Sequence, residues 1–351
     1  MMILNRVSFS EKLFFTKNLA IMLKSGIPIA DVVETLAAQA KGGTFKDNLN
    51  QVADDVSRGR SLEKALSKYP KVFDPFYLSL IRVGEESGTL EDSLFYLVEQ
   101  MEKEQELRKK VQSAMLYPAI VLVATSGIGL VLAFFILPQI IGLFESLKVD
   151  LPITTVILIW LAKLLQDWGL IIIPAFVVFL IALVGVVQSK PIKPYWHAVI
   201  LKLPVIGSLL RNISLATLSR NLGIMLRSGL TITAALQTAS EVERNLVYKK
   251  DLVKIADEVR RGKSIESAIV AGEFKEFPLF TIRMIGVGEK SGNLEENLAY
   301  LGEYFEAEVD TVTRNLATIL EPILLVFIGA VVAFVALSII SPIYQITGSI
   351  R

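Results

Sequence analysis

The chain has 351 residues, 52% of them hydrophobic and 20% charged, with a formal net charge of +1. That near-neutral balance leaves no basic surplus for direct nucleic-acid binding, and the absence of cysteine excludes disulfide frameworks, thiolate metal sites and cysteine nucleophiles. A single histidine, His197, is too few for a His-rich metal site or a Ser-His-Asp triad, so no catalytic set and no cofactor is expected.

The first residues, MMILNRVSFSEKLFFTKNLAIML, are not a secretory signal: Lys12 and Lys17 interrupt the apolar stretch and no small-residue cleavage pattern follows. Helices are predicted over 10–24, 29–40, 45–58, 61–68, 74–83 and 89–113, with apolar residues at spacings of three and four, as in Leu94, Leu97, Val98 and Met101. Strand-like alternation is not sustained anywhere, so the class is all-α.

The membrane segments follow from charge gaps. No charge lies between Lys110 and Glu145, between Asp167 and Lys190, or from Pro322 to Ile350. A bilayer core needs about 20 apolar helical residues, so three transmembrane helices are predicted, over 114–140, 168–188 and 317–341. The stretch 151–166, if joined to the second span, would make a helix of about 55 Å against a core of about 30 Å. It is read as an interfacial or periplasmic lead-in within a connection over 141–167, with Trp160 and Trp168 near the headgroups. Positive charge fixes the orientation. Arg108, Lys109 and Lys110 precede the first span, Lys190, Lys193, Lys202 and Arg211 follow the second, and Arg314 precedes the third. Residues 1–113 and 189–316 are therefore expected in the cytoplasm, with the N-terminus inside. The connection and the tail, 342–351, are expected in the periplasm.

The chain also repeats itself. KNLAIMLKSG from Lys17 matches RNLGIMLRSG from Arg220, and VADDVSRGRSLEKA from Val52 matches IADEVRRGKSIESA from Ile255, both at an offset of 203. VGEESGTLE from Val83 matches VGEKSGNLE from Val287 at an offset of 204, which continues to Pro118 and Pro322. Three ordered blocks at nearly constant offset mark a duplication. The repeated unit is a bundle of about six helices together with its exit helix. The second span has no counterpart and returns the chain so that both copies insert alike.

With those blocks in place, the chain resembles the inner-membrane platform proteins of type IV pili and type II secretion systems, the PilC/GspF family. The resemblance is carried by LAIMLKSGIPI, RGRSLEKAL, VGEESGTLEDSL and Tyr117-Pro118 in the first copy. In the second it is carried by LGIMLRSGLTI, RGKSIESAI, VGEKSGNLEENL and Glu321-Pro322. It covers roughly residues 10–345; compared with many family members, a shorter N-terminus without their longer leader is expected. The resemblance implies a multi-pass platform of the bacterial inner membrane that is not an enzyme and carries two cytoplasmic helical-bundle domains. It also implies homo-oligomers, and contacts with an assembly ATPase, pilin or pseudopilin subunits and other inner-membrane machine components. The alternative class is an oligomeric transporter or channel subunit, which the almost wholly apolar spans disfavour.

Gly262-Lys263-Ser264 looks like the end of a phosphate-binding loop, but the full pattern needs glycine where Asp257 stands. A helix-end glycine followed by a serine N-cap explains it and its counterpart Gly59-Arg60-Ser61. The GE-x-SG segments are expected to be tight turns. Glu85 and Glu289 need not be acidic for a turn, so with Glu86 and Lys290 they are candidates for partner or intersubunit contact. Tyr117, Pro118, Glu321 and Pro322 are candidates for a hinge or intramembrane contact where stem meets membrane. An intramembrane enzyme would need a partner for Glu321, and none is evident.

Overall fold

In the computed structural model, the residues described are 7–40, 42–131, 135, 152–189 and 191–349. Ser8 opens the first helix: its side chain accepts from the Ser10 amide, and Glu11 reaches back to the Ser8 amide at 2.9 Å, a reciprocal capping box. The helices of the first copy are α1 (Phe9–Lys24), α2 (Ile29–Gln39), α3 (Thr44–Ser57), α4 (Leu62–Leu66), α5 (Pro75–Ser87) and α6 (Leu90–Val131). After α7 (Ile153–Val187) and α8 (Lys193–Leu201) the second copy follows. It comprises α9 (Ile206–Arg227), α10 (Ile232–Val242), α11 (Leu246–Arg260), α12 (Ile265–Ala271), α13 (Leu279–Ser291) and α14 (Leu294–Ser349). No strand occurs among the described residues. The predicted six-helix repeat is present, with α2 and α10 in register at 203 and α5 and α13 at 204.

The chain divides into two units. One comprises residues 1–109 and 197–310, the other residues 110–196 and 311–351. In the first, the repeated apolar positions are the core: Leu19, Val52, Leu62, Leu94 and Leu97 are buried, and so are their counterparts Leu222, Ile255, Ile265, Leu298 and Leu301. Each such side chain contributes about 1.5–3 kcal/mol. Phe15 meets Phe45 edge-on at 6.1 Å, and Tyr248 meets Phe277 at 5.5 Å in the other copy. Tyr248, standing where Phe45 stands, donates its hydroxyl to the Glu276 carbonyl at 2.8 Å, because a buried hydroxyl needs a partner.

In the second unit many apolar side chains face outward: Ile120, Val123, Phe176, Val178, Ile181, Val326 and Phe327 are all exposed. Such a surface suits a bilayer and not water. Two helical stretches among the described residues are long and apolar enough to span, one within Leu90–Gly129 and one at Asp167–Val187; a third apolar stretch, Pro322–Ser338, is shorter. Where a separate lead-in is predicted over 151–166, the structure has one helix, α7, running from Ile153 through the second apolar run. Its first turns lie against α14: Thr155 Oγ1 donates to the Ser338 carbonyl at 2.7 Å, and Leu158 packs on Phe334 and Val335. Residues 141–151 of the predicted connection lie outside the described residues.

Candidate functional site

The GE-x-SG segments differ from the prediction. They are helix, not turn: Gly84 to Ser87 form the last turn of α5 and Gly288 to Ser291 that of α13, with the chain reversing only at Gly88 and Gly292. The reason lies in what each residue touches. A Cβ on Gly84 would stand 2.8 Å from Leu90 Cα, and one on Gly288 would stand 2.9 Å from Leu294 Cα. Glycine is what lets the following helix cross so closely.

The two glutamates face inward. Glu85 accepts from the amides of Leu62 at 2.5 Å and Glu63 at 2.9 Å. Glu289 accepts from Ile265 at 2.6 Å and Glu266 at 3.0 Å. Ser61 and Ser264 take the third amide, from Lys64 and Ser267. Three of the four amides left free at a helix start are thus satisfied in α4 and again in α12, with a negative charge at the positive end of the helix. The acidity of Glu85 and Glu289 therefore has an internal use. Their neighbours Glu86 and Lys290 are exposed, and Lys290 pairs with Glu266 at 2.9 Å.

The loops resembling a phosphate site are each a helix-end glycine followed by a serine N-cap. Gly59 and Gly262 adopt φ of +84° and +92°, a left-handed backbone that closes the preceding helix. Arg60 pairs back to Asp55 at 3.2 Å and Lys263 to Glu258, so each loop is clamped by its own helix. The carboxyl of Asp55 is held below its usual range, first by the hydrogen bond from Lys68; that of Glu258 is held down first by Lys263. Glu266 is lowered by Lys290 and Arg283.

Each exit helix is tied to the start of its bundle by an ion pair that the sequence analysis missed, although both ends recur at the repeat offsets. Lys17 on α1 meets Glu102 on α6 at 2.7 Å, and Arg220 on α9 meets Glu306 on α14. The first pair is exposed and the second largely buried. Burial works against the charge of Arg220, and Glu99, Glu303, Glu106 and Glu104 oppose that effect. Three of these acids belong to α6, so the charge of the first exit helix acts on a cation of the second copy.

The two copies also meet directly. Helix α5 packs on α10 and α9. Ser79 and Thr238 share a hydrogen bond at 3.4 Å, and Arg244 donates to Glu104 at 3.1 Å. His197, expected on a loop, sits in α8, and its Nδ1 accepts from the Leu246 amide at 3.0 Å, helping to cap α11.

At the predicted hinge both helices run on through the prolines, α6 past Pro118 and α14 past Pro322. Tyr117 and Pro322 are exposed; the side chains of Pro118 and Glu321 lie outside the described residues. The predicted site residues thus stand on four helices: Glu85 and Glu86 at the end of α5, Glu289 and Lys290 at the end of α13, Tyr117 and Pro118 within α6, and Glu321 and Pro322 within α14. Among the described residues no cluster of His, Cys, Asp or Glu suits a metal ion.

The model of the family described as "Type II secretion system (T2SS), protein F" matches twice, over residues 15–138 and 218–342. The chain is 30% identical over 345 residues to type IV pilus assembly protein PilC of Myxococcus xanthus, covering 98% of this chain and 82% of that protein. It is 31% identical over 336 residues to the protein of the same name in Thermus thermophilus, covering 96% and 82%. It is 30% identical over 331 residues to type II secretion system protein F of Pseudomonas aeruginosa, covering 94% and 81%. The two matched stretches each take in the helical bundle and its exit helix, so the chain belongs to the type II secretion system protein F family through both copies of its repeat.

Proposed function

We propose that this chain is the inner-membrane platform of a type IV pilus or type II secretion machine. It couples a cytoplasmic assembly ATPase to pilin or pseudopilin polymerisation and touches other inner-membrane components of the machine. Residues 1–113 and 189–316 work in the cytoplasm, the spans are 114–140, 168–188 and 317–341, and the connection and tail face the periplasm. The observation that carries the reading is the continuity of α6 and α14, each running unbroken from a bundle core into an apolar segment. A stem built this way joins each bundle to its apolar segment through one continuous helix. The internal capping of Glu85 and Glu289 shifts the expected partner contacts toward the exposed Glu86 and Lys290.

Affinity purification of the full-length chain from membranes of its own organism tests this. The platform role predicts co-purification of an assembly ATPase and of pilin or pseudopilin. Recovery of neither, from a folded preparation, would count against it. Solute flux through vesicles containing the pure chain would favour a channel subunit instead.

A further inference from the structure

The joint between the copies is one-sided. Helix α5 of the first copy packs on α10 and α9 of the second. By the repeat, the counterpart of α5 is α13, and the counterparts of α10 and α9 are α2 and α1. No comparable packing joins α13 to α2 among the described residues. A contact of this head-to-tail kind uses two different faces, so each chain is left with one unused face of each kind.

Those faces have the exposure that a missing neighbour would leave. Phe76 on α5 is 6% exposed, whereas its counterpart Phe280 on α13 is 41% exposed. Val287 and Leu279 are also exposed on α13. On the other side, Ile224 on α9 is 9% exposed and its counterpart Ile21 on α1 is 48% exposed. Ile27 is exposed where Leu230 is buried. The charges have changed in step. Ser79 lies against Thr238 in the internal joint, and α10 carries the uncharged Ala234 and Gln237, both exposed, one turn before and one residue before Thr238. The counterpart of Ser79 is Arg283, and the counterparts of Ala234 and Gln237 are Asp31 and Glu34, all three exposed. Asp31 lies one turn before Thr35, the counterpart of Thr238, on the same side of α2. One open face carries Arg283, which also pairs with Glu266 of its own chain at 3.3 Å, and the other carries two anions.

We propose that α13 of one chain packs on α1 and α2 of a second copy of this chain, repeating between chains the joint that α5 makes with α9 and α10 within one. The partner is a second copy because the internal joint already supplies both halves of the surface, with Arg283 facing Asp31 and Glu34 across the new contact. Such an interface closes into a ring or extends as a row. The proposal goes beyond the platform role and does not depend on it, since it needs only the repeat and the internal joint.

The chain has no cysteine, so introduced pairs report without background. Full-length variants are oxidised in native membranes and run on non-reducing gels. Ser79→Cys with Thr238→Cys should close within the chain and leave its mass unchanged, which verifies the template. Thr35→Cys with Arg283→Cys should give a ladder at multiples of the single-chain mass. Chains carrying only Thr35→Cys, co-expressed with chains carrying only Arg283→Cys, should give dimers, and each expressed alone should give none. The proposal is overturned by no ladder when the internal pair closes, by dimers from Arg283→Cys alone, which would indicate a two-fold contact, or by failure of the internal pair to close.

Discussion

Glu289 accepts a 2.6 Å hydrogen bond from the Ile265 amide, and Glu85 does the same to Leu62 one repeat earlier. A carboxylate across two helix-start amides is a charge-assisted contact that glutamine reproduces only in part.

Glu85→Gln or Glu289→Gln should therefore weaken the start of α4 or α12 by about 1–2 kcal/mol. Amide exchange read by mass spectrometry should rise about 5–30-fold in the peptide beginning at Leu62 or Ile265. Glu86→Ala should leave exchange there unchanged, because Glu86 is exposed. If Glu86→Ala also abolishes pilus assembly or secretion, the defect belongs to a partner contact.

Gly84→Ala and Gly288→Ala place a methyl against the backbone of the following helix. Overpacking of this kind costs about 1–3 kcal/mol, since Leu90 Cα and Leu294 Cα cannot move like the end of a flexible side chain. Thermal unfolding of the detergent-solubilised chain should shift downward for both. An unchanged midpoint would show that the crossing is looser than described.

The two ion pairs at the stems should respond unequally. Arg220→Ala leaves Glu306 largely buried without its cation, and such losses cost about 3–5 kcal/mol. Lys17→Ala removes the exposed counterpart and should cost about 0.2–1 kcal/mol. Equal effects in chemical unfolding would contradict the burial of the second pair.

The lowered carboxyls of Asp55, Glu258 and Glu266 set a direction with pH. An unfolded aspartate or glutamate titrates near about 4, and these three titrate lower when folded. The stability they add is whole above that value and is lost as pH falls through their folded values. The unfolding midpoint of the purified chain should drop on acidification below about pH 4. Asp55→Asn with Glu258→Gln should make that drop shallower. Glu243 acts in the opposite sense, because burial raises its carboxyl, so protonating it favours the folded chain.

Much of this fold was legible because duplication prints each helix twice. The glycine and serine of Gly59-Arg60-Ser61 read correctly as a stop and a start, since both signals are local. The GE-x-SG segment was misread because its glycine serves a close helix crossing and its glutamate reaches 23 residues back to Leu62, and neither contact shows in local spacing. The join of 151–166 to the second span was missed because a length argument weighed a whole helix against one bilayer. What holds Thr155 is a side-chain hydrogen bond 183 residues away, at Ser338. The pairs Lys17–Glu102 and Arg220–Glu306 were findable, since both ends obey the repeat offsets.

The central claim is that one bundle-plus-stem unit is used twice on the same side of the membrane, with α7 as the single return. The most direct test is a pair of reporter fusions at Ser189, just beyond α7. The account predicts a fluorescent green fluorescent protein and an inactive alkaline phosphatase at that position. Active alkaline phosphatase with a dark fluorescent protein would put the second copy outside and contradict it.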